Sequence, residues 1–228
     1  MASVHVIIVA AGSGLRFGAP LPKQFCLLRG RPVVMNTIDT IRGLLPDVEI
    51  TLVINRDANG LWQSLCAEHE FTSPDIVYGG ATRWESVRNA VVHAPETDII
   101  LVHDAVRPLI SEKIITPLID SFSSQSDIDG AIPAIPVTDS LRSLTSGGKS
   151  TSVDRSAMRA VQTPQAFRGE RLRKAYSLPY QPEFTDDASV MEAAGFDRII
   201  LTDGSPDNIK ITNPGDISIA EILLENRV

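Results

Sequence analysis

Short runs of consecutive apolar, largely β-branched residues alternate along this chain with stretches whose apolar positions recur every three or four residues. The first run, Val4–Ala10 (VHVIIVA), stops at a glycine-rich segment and predicts a strand buried on both faces. Arg31-Pro32 then opens a helix with proline in its first turn, and Val34, Ile38, Ile41 and Leu45 form its apolar stripe. Glu49–Ile54 (EITLVI), Asp75–Tyr78 (DIVY) and Asp98–His103 (DIILVH) predict three more strands. Leu61 and Leu65 mark a short helix, and Arg83–Ala94 reads as a helix with Val87, Ala90 and Val91 on one side. Ser111 is placed to cap a helix running to Phe122 with Pro117 inside it. Gly130–Pro136 (GAIPAIP) carries two prolines, which suits an edge or short strand. Thr185 caps a helix ending near Gly195, and Asn213-Pro214 opens the last helix, with Ile217, Ala220 and Leu224 inward.

This alternation predicts an α/β fold, a mostly parallel sheet covered by helices. Such a sheet binds ligands at the carboxyl ends of its strands, so the residues after Ala10, Tyr78 and His103 are the first places to look for chemistry. One segment breaks the pattern. Val137–Leu144 and Ser152–Val161 flank the Gly-Gly loop of Thr145–Thr151 and predict a hairpin. It is polar and has little to bury at home. It reads as an arm, residues 137–161, reaching toward a second subunit, or equally as a solvated surface hairpin.

A chain of 228 residues fits one large domain or two small ones at ~100–200 residues each. Acids outnumber bases 28 to 21, a net charge of −7, which argues against a nucleic acid or an anionic membrane as general partner. Cations for an anionic small ligand would therefore have to be gathered locally. The two cysteines, Cys26 and Cys66, are too few for a disulfide framework and point to a reducing compartment; the scattered histidines show no metal-ligand spacing. With no spanning segment or targeting signal, the expectation is a cytoplasmic protein.

The glycine-rich segment Ala10-Ala11-Gly12-Ser13-Gly14-Leu15-Arg16-Phe17-Gly18 places Phe17 where a dinucleotide fingerprint needs glycine, and no acid closes the second strand. What remains is a glycine turn followed by two cations, Arg16 and Lys23, which suits a triphosphate or, equally, is a tight turn with solvated cations. Asp104 follows the fourth strand and could ligate Mg²⁺ opposite that turn, or pair with Arg107. His103, on the opposite strand face, reads as core. Asp207-Asn208-Ile209-Lys210 offers a second acid and a cation. Trp62 and Trp84 read as packing residues.

The segments AAGSGLRFG, PLPKQF, YGGATRWESV, HDAVRP, PVTDS, VDRS, QTPQAF, TDDAS and DNIKIT, in this order from Val4 to Ala220, strongly resemble the 2-C-methyl-D-erythritol 4-phosphate cytidylyltransferases of the non-mevalonate isoprenoid pathway. The resemblance implies a single Rossmann-like nucleotidyltransferase domain over residues 1–228, a homodimer joined by the hairpin arm, and Mg²⁺ dependence. It implies that CTP and methylerythritol phosphate are joined to give the CDP-linked alcohol and pyrophosphate. By motif match, Arg16 and Lys23 would neutralise the CTP phosphates, and Ala11, Gly12 and Gly14 would contact the nucleotide through backbone. Gly80, Ala81 and Ser86 would read cytosine, in a loop ordered by Arg83. Asp104 and Asp207 would sit at the metal, with Asp104 also at the nucleotide. Ala105, Arg107, Thr185 and Lys210 would hold the acceptor. Ser140 and Arg155, on the arm, would reach the acceptor of the neighbouring subunit, with Arg155 and Lys210 also counted among the catalytic cations.

Taken singly, Ser86 is an ordinary helix-face residue, Thr185 an N-cap and Arg155 a solvated cation; only the ordered set gives them these roles. Ser140 stands where the family commonly has threonine, and Val106 where it often has alanine. Ribitol 5-phosphate cytidylyltransferases also show HDAVRP and PLPKQF, and the VDRS and TDDAS segments favour methylerythritol phosphate as acceptor. A nicotinamide-dependent oxidoreductase and a non-catalytic nucleotide sensor are the more distant alternatives.

Overall fold

The structure is a computed structural model that describes residues 2–12 and 21–226. Its centre is a mixed sheet. The strands β1 (Val4–Ala10), β4 (Glu49–Ile54), β5 (Asp75–Tyr78) and β6 (Ile99–Asp104) form a parallel unit in the order β5-β4-β1-β6. Their apolar runs span the sequence expectations almost residue for residue, because strands covered on both faces need no polar alternation. The order reverses between β1 and β6, so the connections leave those two strands in opposite directions and open a crevice at their carboxyl ends.

Beyond β6 the sheet continues through β11 (Gln165–Arg168) and β7 (Gly130–Pro136) to β12 (Ile199–Asp203). β11 is antiparallel to both neighbours, and β12 runs parallel to β7. β7 is thus an interior strand, not the edge or short strand its prolines suggested. Its proline carbonyls still accept: Pro133 takes the Gln162 N–H at 2.8 Å. The edge falls to β12, which, like β11, the apolar pattern of the sequence does not mark as a strand.

Helices cover both faces. Alternate residues of β1 divide between them, with Val6, Ile8 and Ala10 packing against α1 (Val33–Leu44), α2 (Asn59–Glu68) and α4 (Glu112–Ser124). Ile7 faces α3 (Arg83–His93), α5 (Gly169–Ala175) and α6 (Asp187–Ala193). The last helix, α7 (Gly215–Glu225), packs Ala220 fully and Ile217 and Leu224 partly against β2 (Leu27–Leu28) and its surroundings, the inward face expected.

Several helix starts differ from expectation. Arg31-Pro32 is not the first turn of α1 but a two-residue strand, β3 (Arg31–Pro32), paired with β2 across a turn in which Arg29 and Gly30 have φ of 52° and 76°. Asn36 closes this corner by donating to the carbonyls of Leu28, Arg31 and Pro32. Ser111 precedes α4 but makes no side-chain cap. The cap of α6 is Asp186, not Thr185: its carboxylate accepts the Ser189 N–H at 3.0 Å while the Ser189 hydroxyl accepts the Asp186 N–H at 3.2 Å. Gly195, just beyond, has φ 81°, a left-handed stop that favours glycine.

The hairpin exists, with both strands shorter than expected. β8 (Leu141–Leu144) pairs antiparallel with β9 (Ser150–Val153) as a separate two-stranded sheet. The chain then turns through a short 3₁₀ segment, Arg155–Ala157, and rejoins the central sheet as β10 (Arg159–Val161) beside β7. The central ladder offers Arg159–Val161 three paired positions that a freestanding arm could not. Among the described residues no helix is long and apolar enough to cross a membrane.

Candidate active site

A cavity of about 440 Å³ opens at the carboxyl ends of β1 and β6, where the strand order reverses. That volume lies within the ~300–1,000 Å³ usual for small-ligand sites. Three walls define it.

The first wall is the stretch that follows β1. Ala10, Ala11 and Gly12 line the cavity together with Lys23 and Gln24, which belong to a single 3₁₀ turn, Lys23–Phe25. Phe25 anchors that turn by packing, fully buried, beside Trp62.

The second wall is the loop between β5 and α3. Gly79 donates to Ile54 O at 2.9 Å, and a Cβ added there would come within 2.5 Å of the Ala11 Cβ. One added at Gly80 would meet the Glu85 Cβ at 2.4 Å, so the loop approaches β1 and α3 only because both residues are glycine. Its amides are held from one direction. Gly80 N–H donates to Ser86 Oγ at 3.2 Å, and Ala81 and Thr82 N–H donate to Glu85 Oε2 at 2.6 and 3.2 Å. Thr82 Oγ1 in turn accepts the Glu85 N–H, completing a capping box. Glu85 and Ser86 therefore order this loop, not Arg83 as expected. The Arg83 fork instead donates to both oxygens of Asp187, at 3.0 and 2.7 Å, and the Tyr176 hydroxyl donates to the same carboxylate at 2.6 Å.

The third wall is charged. Asp104, the last residue of β6, is 7 % exposed and faces three cations. Lys210 Nζ lies 2.8 Å from it, Arg107 Nε 3.6 Å and Arg83 Nε 3.9 Å. Burial alone would raise the Asp104 carboxyl; the pull of Lys210, then Arg83 and Arg107, outweighs it and holds the group well below the usual carboxylate range. Burial lowers Arg107 while Asp104 works against that, and at Arg83 the attraction of Asp187 overcomes burial and raises the pKa.

Beneath this wall lies a chain of hydrogen bonds with one polarity. The Asp104 N–H donates to Thr163 Oγ1 at 3.0 Å, and Thr163 Oγ1 lies 3.1 Å from His103 Nδ1. His103 Nε2 reaches Arg107 O at 3.1 Å, and since a carbonyl only accepts, Nε2 carries the proton. Burial pushes the His103 pKa down to about 4, so the ring is a neutral core group, as the strand pattern indicated.

The cavity brings together Lys23, Ala11, Gly12, Gly80, Ala81, Ser86, Asp104 and Lys210 from the expected site. Gly14 and Arg16 lie outside the described residues. Arg107 stands behind Asp104 and donates to Asn208 O at 2.7 Å. Ala105 is fully buried, and both its backbone groups are taken, the N–H by Val9 O and the carbonyl by Thr37 Oγ1. Thr185 and Asp207 are exposed and do not line the cavity. Ser140 and Arg155 line a different depression of about 450 Å³ on the arm, where the Arg155 guanidinium donates to Thr138 O. Trp62 and Trp84 are buried among aromatic neighbours, in agreement with a packing role. The described residues hold no group of three or more His, Cys, Asp or Glu able to cage a metal; Asp104 is the one carboxylate among those lining the cavity.

Sequence reasoning missed Gln24, Glu85, Thr163 and Asp187. Thr82-x-x-Glu85 was readable as a capping box. Thr163 and Asp187 owe their positions to partners 59 and 104 residues away, and Gln24 to carbonyls 14 and 12 residues earlier.

Lys23, Lys210 and the ionised Asp104 at the switch point of an α/β sheet suit an anionic nucleotide, and the class they fit is that of the nucleotidyltransferases. The family model for 2-C-methyl-D-erythritol 4-phosphate cytidylyltransferase (IspD) matches residues 4–226, and the chain belongs to this family. The enzyme of that name from Azobacteroides pseudotrichonymphae is 41% identical over 226 residues, covering 99% of this chain and 100% of that protein. The Porphyromonas gingivalis enzyme is 44% identical, covering 96% of this chain and 97% of that protein. Among solved structures, 4-diphosphocytidyl-2C-methyl-D-erythritol synthase from Anaerococcus prevotii superposes with a TM-score of 0.79 at 28% identity, covering 98% of this chain and 99% of that one. The Thermus thermophilus cytidylyltransferase gives 0.75 at 29% identity, with the same coverage of both chains.

Proposed function

We propose that this cavity transfers a cytidylyl group from CTP to 2-C-methyl-D-erythritol 4-phosphate. An oxygen of the acceptor phosphate attacks the α-phosphorus in line. The bond to the β-phosphate oxygen breaks, and pyrophosphate leaves. Two phosphate-bearing anions must meet, so the protein's task is positioning and charge neutralisation. Lys23, together with Arg16, neutralises the triphosphate and the charge that develops as pyrophosphate departs. Ala11, Gly12 and Gly14 present backbone to the nucleotide. Cytosine offers an N4 donor and N3 and O2 acceptors; the Gly80 and Ala81 carbonyls can take the N4 donor, and the Gly80 and Ala81 N–H and Ser86 O–H groups would reach N3 and O2 by exchanging their present bonds to Ser86, Glu85 and Thr82.

Mg²⁺ suits this donor set, because it takes one or two carboxylates and otherwise phosphate oxygens and water. Asp104, buried and ionised, would hold it, with Asp207 the second acid that the resemblance assigns, and the ion would supply further charge neutralisation at the triphosphate. Lys210 and Arg107 are read as acceptor-side groups; Thr185, outside the cavity, and Ala105, fully buried with both backbone groups engaged, carry that assignment from the resemblance alone. Ser140 and Arg155 do not line this chain's own cavity, which supports a role toward the acceptor of a second copy. The exposed Leu144, Met158 and Val161 on and beside the arm support the same homodimer. The whole chain is taken as one nucleotidyltransferase unit with its arm at 137–161. Two free, half-buried cysteines agree with a cytoplasmic setting.

The observation that carries this reading is the convergence of Lys23, Asp104, Lys210 and the Gly80–Ser86 loop on one cavity. Pyrophosphate release is the test, with CTP, Mg²⁺ and methylerythritol phosphate in one arm and ribitol 5-phosphate as acceptor in the other. Release with the first acceptor is expected; release with neither, from folded protein, defeats the proposal.

A further inference from the structure

We propose that Gln24 is a positioning residue for the nucleotide: its side-chain amide holds the Ala10 and Gly12 carbonyls away from the triphosphate and ties the Ala10–Gly12 stretch to the turn that carries Lys23. The inference rests on reading the cavity as the triphosphate site.

Gln24 is only 3 % exposed. Its Nε2 donates to Ala10 O at 2.7 Å and to Gly12 O at 2.9 Å, so both amide protons are spent on two carbonyls of one cavity wall. A backbone cradle binds an anion through its N–H groups, and a carbonyl turned the same way would repel it. A carbonyl held by Gln24 cannot turn to face a phosphate oxygen. The same side chain spans from the Lys23–Phe25 turn to the end of β1, so one amide sets the cation relative to the cradle. That turn is itself fixed, by Phe25 N–H to Pro22 O at 2.8 Å and by the fully buried Phe25 ring.

Only a side chain of this length with two donors on one atom makes both bonds at this site. Glutamate has the same shape but would bring carboxylate lone pairs against two carbonyls, adding negative charge beside the triphosphate. Methionine fills the same space and donates nothing.

The test uses the full chain with Gln24→Met and Gln24→Glu, and Lys23→Ala as the reference. Readouts are KM for each substrate, kcat, CTP binding by calorimetry, and Tm. Both Gln24 variants should fold, weaken CTP binding and raise its KM at least tenfold, with Glu worse than Met, and leave the acceptor KM within twofold. CTP affinity within twofold of the parent overturns the proposal. So does an equal loss for both substrates, or a failure of both variants to fold, either of which would make Gln24 a support of the fold alone. If Lys23→Ala weakens CTP binding while the Gln24 variants do not, only the positioning role falls. If none of the three substitutions affects CTP, the triphosphate reading of the cavity falls with it.

Discussion

Asp187→Asn probes the junction between the core and the charged wall of the site. Asp187 is fully buried and accepts three hydrogen bonds, two from the Arg83 fork and one from the Tyr176 hydroxyl. Asparagine keeps the volume but removes the charge, and its NH₂ confronts a guanidinium N–H or the phenol. Removing one partner of a buried ion pair costs roughly 3–5 kcal/mol. Here Arg83 is one-third exposed and keeps Asp104 at 3.9 Å, which places the expected loss at the low end, about 3 kcal/mol. For a chain of this size that lowers Tm by roughly 6–12 °C. Activity should fall as well, because the released guanidinium is drawn to Asp104, the carboxylate of the site. Urea unfolding followed by circular dichroism gives the stability. A cycle with Arg83→Met and the double variant isolates the pair. A loss under about 0.5 kcal/mol for Asp187→Asn, or additivity of the two substitutions within that margin, would refute the reasoning.

Other consequences can be measured directly. Lys23→Ala should reduce kcat by ~10²–10³ with Tm within a few degrees of the parent, as for loss of one well-placed electrostatic stabiliser; unchanged turnover removes Lys23 from the mechanism. Glu85→Ala abolishes the capping box and both bonds to the loop amides, and should cost about 1–2 kcal/mol in thermal unfolding while raising KM for CTP; a change in stability alone would mean that the loop keeps its shape without Glu85. His103 has a folded pKa near 4 against 6.5 when unfolded, so the unfolded chain binds the extra proton first as pH falls. Its contribution, about 3 kcal/mol, is fully present above pH 6.5 and is lost between there and pH 4. Urea midpoints of the parent should drop across that window more steeply than those of His103→Gln, and equal slopes would contradict the assignment. The proposed homodimer predicts that replacing 141–153 by a short Gly-Ser linker shifts the sedimentation coefficient from that of a dimer to that of a monomer; an unchanged dimer value would exclude the arm as the joining element.

The amino-acid pattern determined the central strands, the faces of α1 and α7, and the glycine-and-cation character of the site. Those features depend on local periodicity and on turns that only certain residues can make, so they are written in contiguous residues. The ordered motifs also carried the family, since they span nearly the entire chain. Tertiary structure alone decided that β7 lies inside the sheet, that Arg159–Val161 leaves the arm for the central ladder, and that Asp186 rather than Thr185 caps α6. It also decided where Arg83 goes. Its partner Asp187 is 104 residues away, and Gln162, Thr163 and Asn208 meet behind Asp104 from two further segments. A buried charge or donor takes whichever partner the packing delivers, and one-dimensional spacing does not record that delivery.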